Sequence, residues 1–258
     1  MHLTVDDLWR ETQPQALEPM VSVINRITAP PPLRTLLIAV TTHLGWTLEL
    51  KGWTSILSHE SCSHQTPAKI HLTAMRTGFN FETVLQRIGK CLPLSHVKYL
   101  QIENVPDFDV WKKSFAHMRT VTKLRVHRAA ADYLPMALLS KDDKKKNPRK
   151  TADLRVDPDP DASLFPHLKY LQLDEVRFCA VYGESRDGDL IDDIEEALGS
   201  RKLRRRKFPH LDIRRAINFG QDELDRLQKV VQTLTWDGKV DINNIEDEDE
   251  YSDAYLYY

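Results

Sequence analysis

A nine-residue phrase occurs twice in this chain and limits what the chain can fold into. Residues 97 to 105 read V-K-Y-L-Q-I-E-N-V, and residues 168 to 176 read L-K-Y-L-Q-L-D-E-V. Five of the nine positions are identical and three more keep their chemical type. Repetition at this level means one structural unit used more than once. The underlying skeleton is apolar-x-x-apolar-x-apolar. It recurs as Leu33-Leu36-Ile38, Val97-Leu100-Ile102, Val121-Leu124-Val126, Leu168-Leu171-Leu173 and Phe208-Leu211-Ile213. A variant has Pro67 in the first position, followed by Ile70 and Leu72. A truncated copy opens the chain at Leu3-Thr4-Val5, and Val231-Leu234-Trp236 closes the series.

Side chains of a β-strand alternate faces with period two, so Leu100 and Ile102 point one way. Tyr99, Gln101 and Glu103 then point the other way. A short strand with one apolar face must stack beside its like and be backed by another layer. Helical periodicity between the copies supplies that layer. One face carries Leu17, Met20, Val21, Ile24 and Ile27, and a second carries Val84, Leu85, Ile88 and Leu92. Trp111, Phe115 and Met118 follow, then Leu190, Ile191, Ile194 and Leu198, then Leu224, Leu227, Val230 and Val231.

Strand, loop, helix, strand is therefore the unit. Counted between second skeleton positions, its interval runs from 23 residues (Leu211 to Leu234) to 47 (Leu124 to Leu171). The shorter intervals match the leucine-rich repeat, whose period is about 20 to 29 residues, and the longer ones require inserted loops. The expected fold is α/β: an irregular leucine-rich-repeat-like solenoid of about six or seven units, with parallel strands on the concave side and helices outside. The repeat domain is expected over 1–240, with an insertion at about 140–162, and an acidic tail over 241–258.

With 258 residues, 41% hydrophobic and 29% charged, the chain has the balance of a water-soluble globular protein. A net charge of -2 gives no overall steering toward nucleic acid or an anionic membrane. Three cysteines, Cys62, Cys91 and Cys179, form no even framework and suit a reducing compartment. No segment approaches 18 consecutive apolar residues, and the N-terminus has no basic-then-apolar signal. The expected location is cytoplasmic or nuclear, with no membrane association.

Met1-His2-Leu3-Thr4-Val5 reads as the tail of a repeat strand with no polar capping unit before it, so the chain is expected to begin inside a larger architecture. Pro30-Pro31-Pro32 stops the first helix. Thr47-Leu48-Glu49-Leu50, between Gly45 and Gly52, reads as a short strand in an enlarged loop. Lys141 to Lys150 is charged and without apolar rhythm, a solvated insertion. Leu154-Arg155-Val156 fits the skeleton but lies too near Leu171 for a helix between them.

Two stretches narrow the class. F-P-H-L-K-Y-L-Q-L, from Phe165 to Leu173, resembles the F-P-x-L-x-x-L-x-L repeats of fungal F-box proteins, especially those of mushroom-forming fungi. The last copy resembles the closing repeat of that group: F-P-H-L-D-I from Phe208, Glu223-Leu224 opening a helix, Val230-Val231 ending it, then Trp236-Asp237-Gly238. The resemblance implies a substrate-recognition subunit of a cullin-RING ubiquitin ligase, in which an F-box binds a Skp-type adaptor and the repeats hold the ubiquitination substrate. No L-P-x-E-type F-box pattern precedes the repeats, so an adaptor would enter only through an F-box outside this chain. A second departure lies three residues after the last apolar anchor. Leucine-rich repeats hold Asn or Cys there, and this chain holds Met75, Val105, Ala129, Val176 and Ala216.

The sequence carries no G-x-S-x-G, no phosphate-cradling glycine loop and no H-E-x-x-H. A non-catalytic protein without cofactor is the expectation. His59, Cys62 and His64, with Cys91 at a distance, match no standard zinc spacing and read as a polar loop. Arg201 to Lys207 reads either as a solvated connector or as a nuclear-import or phosphate-contacting patch. Tyr255, Tyr257 and Tyr258 beside the acidic run read as a tail or a linear docking motif.

The strongest binding candidate is the set of outward strand positions. Stacking brings Tyr99, Gln101 and Glu103 beside Lys123, Arg125 and His127, then Tyr170, Gln172 and Asp174, then His210, Asp212 and Arg214. Aromatic and arginine side chains anchor protein interfaces. The mixed charge of the set suits a protein partner better than nucleic acid. Plain strand residues facing water are the other reading of the same twelve. At the level of the whole chain, a nuclear or nucleic-acid-associated factor and a truncated relic remain the alternatives.

Overall fold

The computed structural model describes residues 2–5, 32–41, 46–57, 66–76, 84–86, 88–89, 92, 94–104, 108–139, 164–178, 189–201 and 207–241. The main strands are β1 (His2–Val5), β2 (Thr35–Thr41), β3 (Trp46–Trp53), β4 (Ile70–Arg76), β5 (Tyr99–Glu103), β6 (Lys123–His127), β7 (Tyr170–Asp174), β8 (Phe208–Arg214) and β10 (Val231–Trp236). They form a single nine-stranded sheet in the order β1-β4-β3-β2-β5-β6-β7-β8-β10. The fold is thus mixed α/β around one large, mostly parallel sheet.

Strands β2, β5, β6, β7, β8 and β10 lie side by side, each parallel to its neighbour. The register follows the skeleton. Leu36 pairs with Leu100, Leu100 with Leu124, Leu124 with Leu171, and Leu171 with Leu211. One further strand departs from the expected arrangement. Thr47–Leu50 is not a short strand in a loop: it lies inside β3, which pairs antiparallel with both β2 and β4. Gly52 is part of β3 rather than a boundary, and a Cβ there would stand 2.9 Å from Leu33 Cδ1. The absent side chain lets Leu33, fully buried, close over the strand.

All fifteen residues of the five full skeleton copies are buried in one core, with Ile70 and Leu72. Pro67 is exposed, so the variant copy lacks its first anchor. The helices are α1 (Phe108–Phe115), α2 (Leu134–Leu138), α3 (Leu190–Ser200) and α4 (Gln221–Gln228). They join the same core through Trp111, Phe115, Leu134, Ile191, Leu198 and Leu227, and so cover the apolar face of the sheet. Trp111 meets Phe115 and Phe165 edge to face, at 5.3 and 6.5 Å. Val84, Leu85, Ile88 and Leu92 are also core residues, and 84–86 and 88–89 are helical. The fifth helical face, Leu224 to Val231, ends sooner than the periodicity suggests. After Gln228 the chain turns, and Val231 opens β10. The α4 N-terminus is capped from within, since Gly220 N–H donates to Glu223 Oε2 at 2.8 Å.

A backbone feature repeats with the unit. Asn104, Arg128, Glu175, Arg215 and Gly238 each lie two residues after the last apolar anchor of their copy. All five have positive φ, at 51, 56, 52, 48 and 70°. The left-handed residue ends the strand with a turn at the same place in each copy. Four of the five are not glycine, although glycine is the residue that adopts this conformation without steric cost. Beyond this turn a second, narrower parallel ribbon forms: β9 (Ala216–Ile217) pairs with β11 (Val240–Asp241), and Arg177 bridges to Ile217. Val176 and Ala216, two of the residues standing at the usual Asn or Cys position, are buried.

The first predicted helix (16–27), the insertion at about 140–162, the polar loop 58–65, Cys91, residues 202–206 and the tail beyond Asp241 lie outside the described residues. Among the described residues, no helix is long and apolar enough to cross a membrane.

Candidate functional site

The face of the sheet opposite the helices carries the twelve outward positions, and the strand registers sort them into three rows. The first row is Tyr99, Lys123, Tyr170, His210; the second is Gln101, Arg125, Gln172, Asp212; the third is Glu103, His127, Asp174, Arg214. The first two extend onto β10 through Thr233 and Thr235. Parallel pairing in constant register is what aligns them, because every copy enters the sheet at the same skeleton position.

Their exposure differs from that of a row facing water. Lys123 and Arg214 are exposed, and Glu103, Tyr170 and His210 are half-buried. Tyr99, Gln101, Arg125, His127, Gln172, Asp174 and Asp212 are buried. The expectation of open strand residues is therefore corrected for those seven. Side chains from neighbouring strands stand only about 4.8 Å apart, and here they interlock. At the β2 end the face is apolar: Leu37, Ala39, Trp53 and Tyr99 cluster with Leu57 and Ala68. Thr35 pins the chain beyond β3 across this end, donating from Oγ1 to Ser55 O at 2.8 Å and accepting from Leu57 N–H at 3.1 Å.

The centre is a charge network. Arg125 donates from Nε to Asp174 Oδ2 at 3.1 Å, and its Nη2 pairs with the same oxygen. Arg215 reaches Asp174 Oδ1 from Nε at 2.9 Å, so this buried carboxylate is held from two sides. Burial alone would raise the Asp174 pKa, but the two guanidinium groups hold it below its ordinary value. At the strand ends, Glu175 takes Arg128 Nε at 2.8 Å, pairs with Arg215, and lies 3.0 Å from His127 Nε2. Burial lowers the His127 pKa below its ordinary value despite the facing carboxylates, which keeps the ring neutral at physiological pH.

A second group occupies the β7–β8–β10 side. Tyr170 donates to Asp212 Oδ2 at 2.6 Å, and its ring stacks on His210 at 4.8 Å. Asp212 also accepts from Arg214 Nε at 3.0 Å and from Thr235 Oγ1 at 2.9 Å. Burial and the bond to Asp212 raise the Tyr170 pKa, so its hydroxyl remains a donor. Asp174, Glu175 and Asp212 are thereby all engaged with cations or hydroxyls.

Arg201, the first residue of the predicted basic run, is not a solvated cation. Its guanidinium donates to Leu138 O at 3.4 Å, to Phe165 O at 3.1 Å and to Leu164 O, and burial lowers its pKa to about 10. It ties the end of α3 to the loop that precedes β7. Among the described residues, no group of three or more His, Cys, Asp or Glu is placed to hold a metal ion.

Sequence reasoning missed Arg128, Glu175, Arg215 and Thr235. The first three follow strand ends by one residue, so locating those ends would have found them. Thr235 sits between two copy anchors, Leu234 and Trp236, and was open to the same period-two reasoning. No protein-family model matches the chain, and neither a curated protein nor a solved structure matches it.

Proposed function

We propose that this chain is a non-catalytic protein-recognition module: a leucine-rich-repeat-like solenoid akin to the substrate-binding repeats of fungal F-box proteins. The observation that carries the reading is the alignment of twelve chemically varied side chains into three rows across four parallel strands in constant register. Repeated strands that each add side chains to one continuous face are the means by which repeat proteins build extended binding surfaces. The left-handed turn at the end of five copies supports a common unit. Engagement of Arg201 with three carbonyls weakens the nucleic-acid reading of the basic run, since that cation is already used inside the protein.

The test uses the purified full chain as bait in extract from its native cells, with cross-linking and mass spectrometry. Lys123→Glu and Arg214→Glu alter exposed positions of the polar face, while Glu196→Lys alters an exposed position on α3. A partner retained by Glu196→Lys and lost by the other two supports the reading. Absence of any stable partner, or capture indifferent to Lys123 and Arg214, overturns it. Recovery of a cullin-ligase component or a Skp-type adaptor with that partner supports the ubiquitin-ligase part.

A further inference from the structure

The six parallel strands, β2, β5, β6, β7, β8 and β10, all begin at the same end of the sheet. The chain passes a cation on the way into each of them: Arg34, Lys98, Arg119, Lys169, Lys207 and Lys229, in that order. Backbone bonds tie these entries together. Lys98 N–H donates to Arg34 O at 2.8 Å, Thr122 N–H to Lys98 O at 2.9 Å, and Lys169 N–H to Thr122 O at 2.9 Å. Thr120 Oγ1 donates to Ser95 O at 2.6 Å, which holds the Arg119 turn beside the Lys98 entry. On the β10 side, Lys207 Nζ donates to Gln228 O at 3.1 Å, the residue before Lys229. Neighbouring strands stand about 4.8 Å apart, so the six cations cross the sheet over about 24 Å.

This belt is open to solvent and carries one sign of charge. Arg119, Lys169, Lys207 and Lys229 are exposed, and Arg34 and Lys98 are half-buried. The described segments at this end, 32–34, 94–98, 116–122, 164–169, 207 and 229–230, contain no aspartate or glutamate. Among the described residues, Arg34, Lys98, Lys169, Lys207 and Lys229 make no ion pair. The other end of the same strands is built differently. There Glu103, Asp174, Glu175 and Asp212 are matched with Arg125, Arg128, Arg214 and Arg215. Cations this close repel one another even in water. The chain has a net charge of -2, so the belt is a local segregation of charge and not the overspill of a basic protein.

The spacing and composition of the belt discriminate between polyanions. One charge per about 4.8 Å is far sparser than the one per about 1.7 Å of duplex nucleic acid. Single-stranded nucleic acid is held largely by stacking on aromatic rings, and no Phe, Tyr or Trp is exposed in these segments. An extended peptide advances about 3.3 Å per residue, so about seven residues cross the belt, and a run of Asp and Glu among them matches its charge.

We propose that the entry end of the six parallel strands binds an acidic, extended segment of a partner protein, laid across the strands. The inference goes beyond the recognition reading above and does not depend on it, since none of the six cations belongs to the three rows of the polar face.

The experiment follows fluorescence anisotropy of labelled octaglutamate, of a neutral octapeptide of alternating glutamine and serine, and of a short duplex DNA, each titrated with the full chain. Saturable octaglutamate binding that weakens with added salt, without binding of the neutral peptide, supports the inference. Lys169→Glu combined with Lys229→Glu should lower that affinity about tenfold at an unchanged unfolding midpoint, and Arg214→Glu should leave it unchanged. A further variant converts Glu246, Asp247, Glu248, Asp249 and Glu250 to the corresponding amides. Octaglutamate binding that appears only in this variant assigns the belt to the chain's own acidic run and overturns the partner segment. No octaglutamate binding, tighter binding of the duplex, or affinity indifferent to the Lys169 and Lys229 reversals also overturns it. A native partner that needs Lys123 and Arg214, in a chain that does not bind octaglutamate, would leave the recognition reading standing and remove this one.

Discussion

Arg125 on β6 and Asp174 on β7 meet across neighbouring strands with side chains 3 and 2% exposed, Arg125 Nε lying 3.1 Å from Asp174 Oδ2. They are not directly paired in the ladder. Asp174 faces His127, so the ion pair runs diagonally from the middle row to the third. Taking two charges out of water has a cost of several kcal/mol per ion, which the pair and its hydrogen bonds must offset. Asp174→Ala should therefore destabilise the fold by about 3–5 kcal/mol, because Arg125 is left buried without its main partner. The double variant Arg125→Met with Asp174→Leu should recover most of that loss. Urea unfolding of the single and double variants measures both.

His127 gives a pH dependence with a definite sign. Its folded-state pKa lies below the ordinary value of 6.5 because burial disfavours the charged ring. The unfolded chain therefore takes up the proton first as pH falls, and stability is full above about pH 6.5 and declines below it. Asp174, also lowered, adds a second decline at more acidic pH, below the ordinary value of 3.8. His127→Gln should flatten the first slope and leave the second. Unfolding midpoints between pH 7.5 and pH 3 check this.

The left-handed turns predict a backbone effect separable from ion pairing. Arg128→Ala and Arg128→Gly both lose the bond to Glu175, so their difference reports the turn alone. Glycine should be the more stable by about 1 kcal/mol. At Gly238 nothing lies within 4 Å of an added Cβ, so Gly238→Ala should cost about 1 kcal/mol through φ alone. Thermal or urea unfolding reads each difference.

Arg201 predicts a structural role for a residue of the basic run. Arg201→Met removes the donor from the carbonyls of Leu138, Leu164 and Phe165 and should destabilise by about 2–4 kcal/mol. Arg201→Lys should recover only part, since an ammonium cannot span three carbonyls as a guanidinium fork does. Unfolding of the two variants decides it.

The apolar skeleton was the most legible part of the chain. A burial pattern of period two repeated at Leu100-Ile102 and Leu171-Leu173 leaves a strand little choice of face, and the ladder follows. The antiparallel β3 was harder to see. Its alternating Thr47 to Leu50 core is short, and nothing local says whether a strand between two skeleton copies loops out or inserts. The five-residue α2 shows less than two turns of periodicity and has Pro135 in its first turn, so it left no helical signal. The turns at Arg128, Glu175 and Arg215 were hidden because glycine, the usual mark of positive φ, is absent there. Alternation identified the twelve outward residues. The burial of seven of them depends on how side chains of neighbouring strands pair, as in Arg125 with Asp174, and the one-dimensional pattern does not contain it.

Cross-strand backbone contacts by NMR on the deuterated, methyl-labelled chain test the aligned rows most directly. Amide and α-proton contacts should link Tyr99 to Lys123, Lys123 to Tyr170 and Tyr170 to His210 in one parallel register, with the same offsets at Gln101, Arg125, Gln172 and Asp212. Contacts displaced by one residue, antiparallel, or missing between any of these four strands would break the rows and contradict the binding face proposed on them.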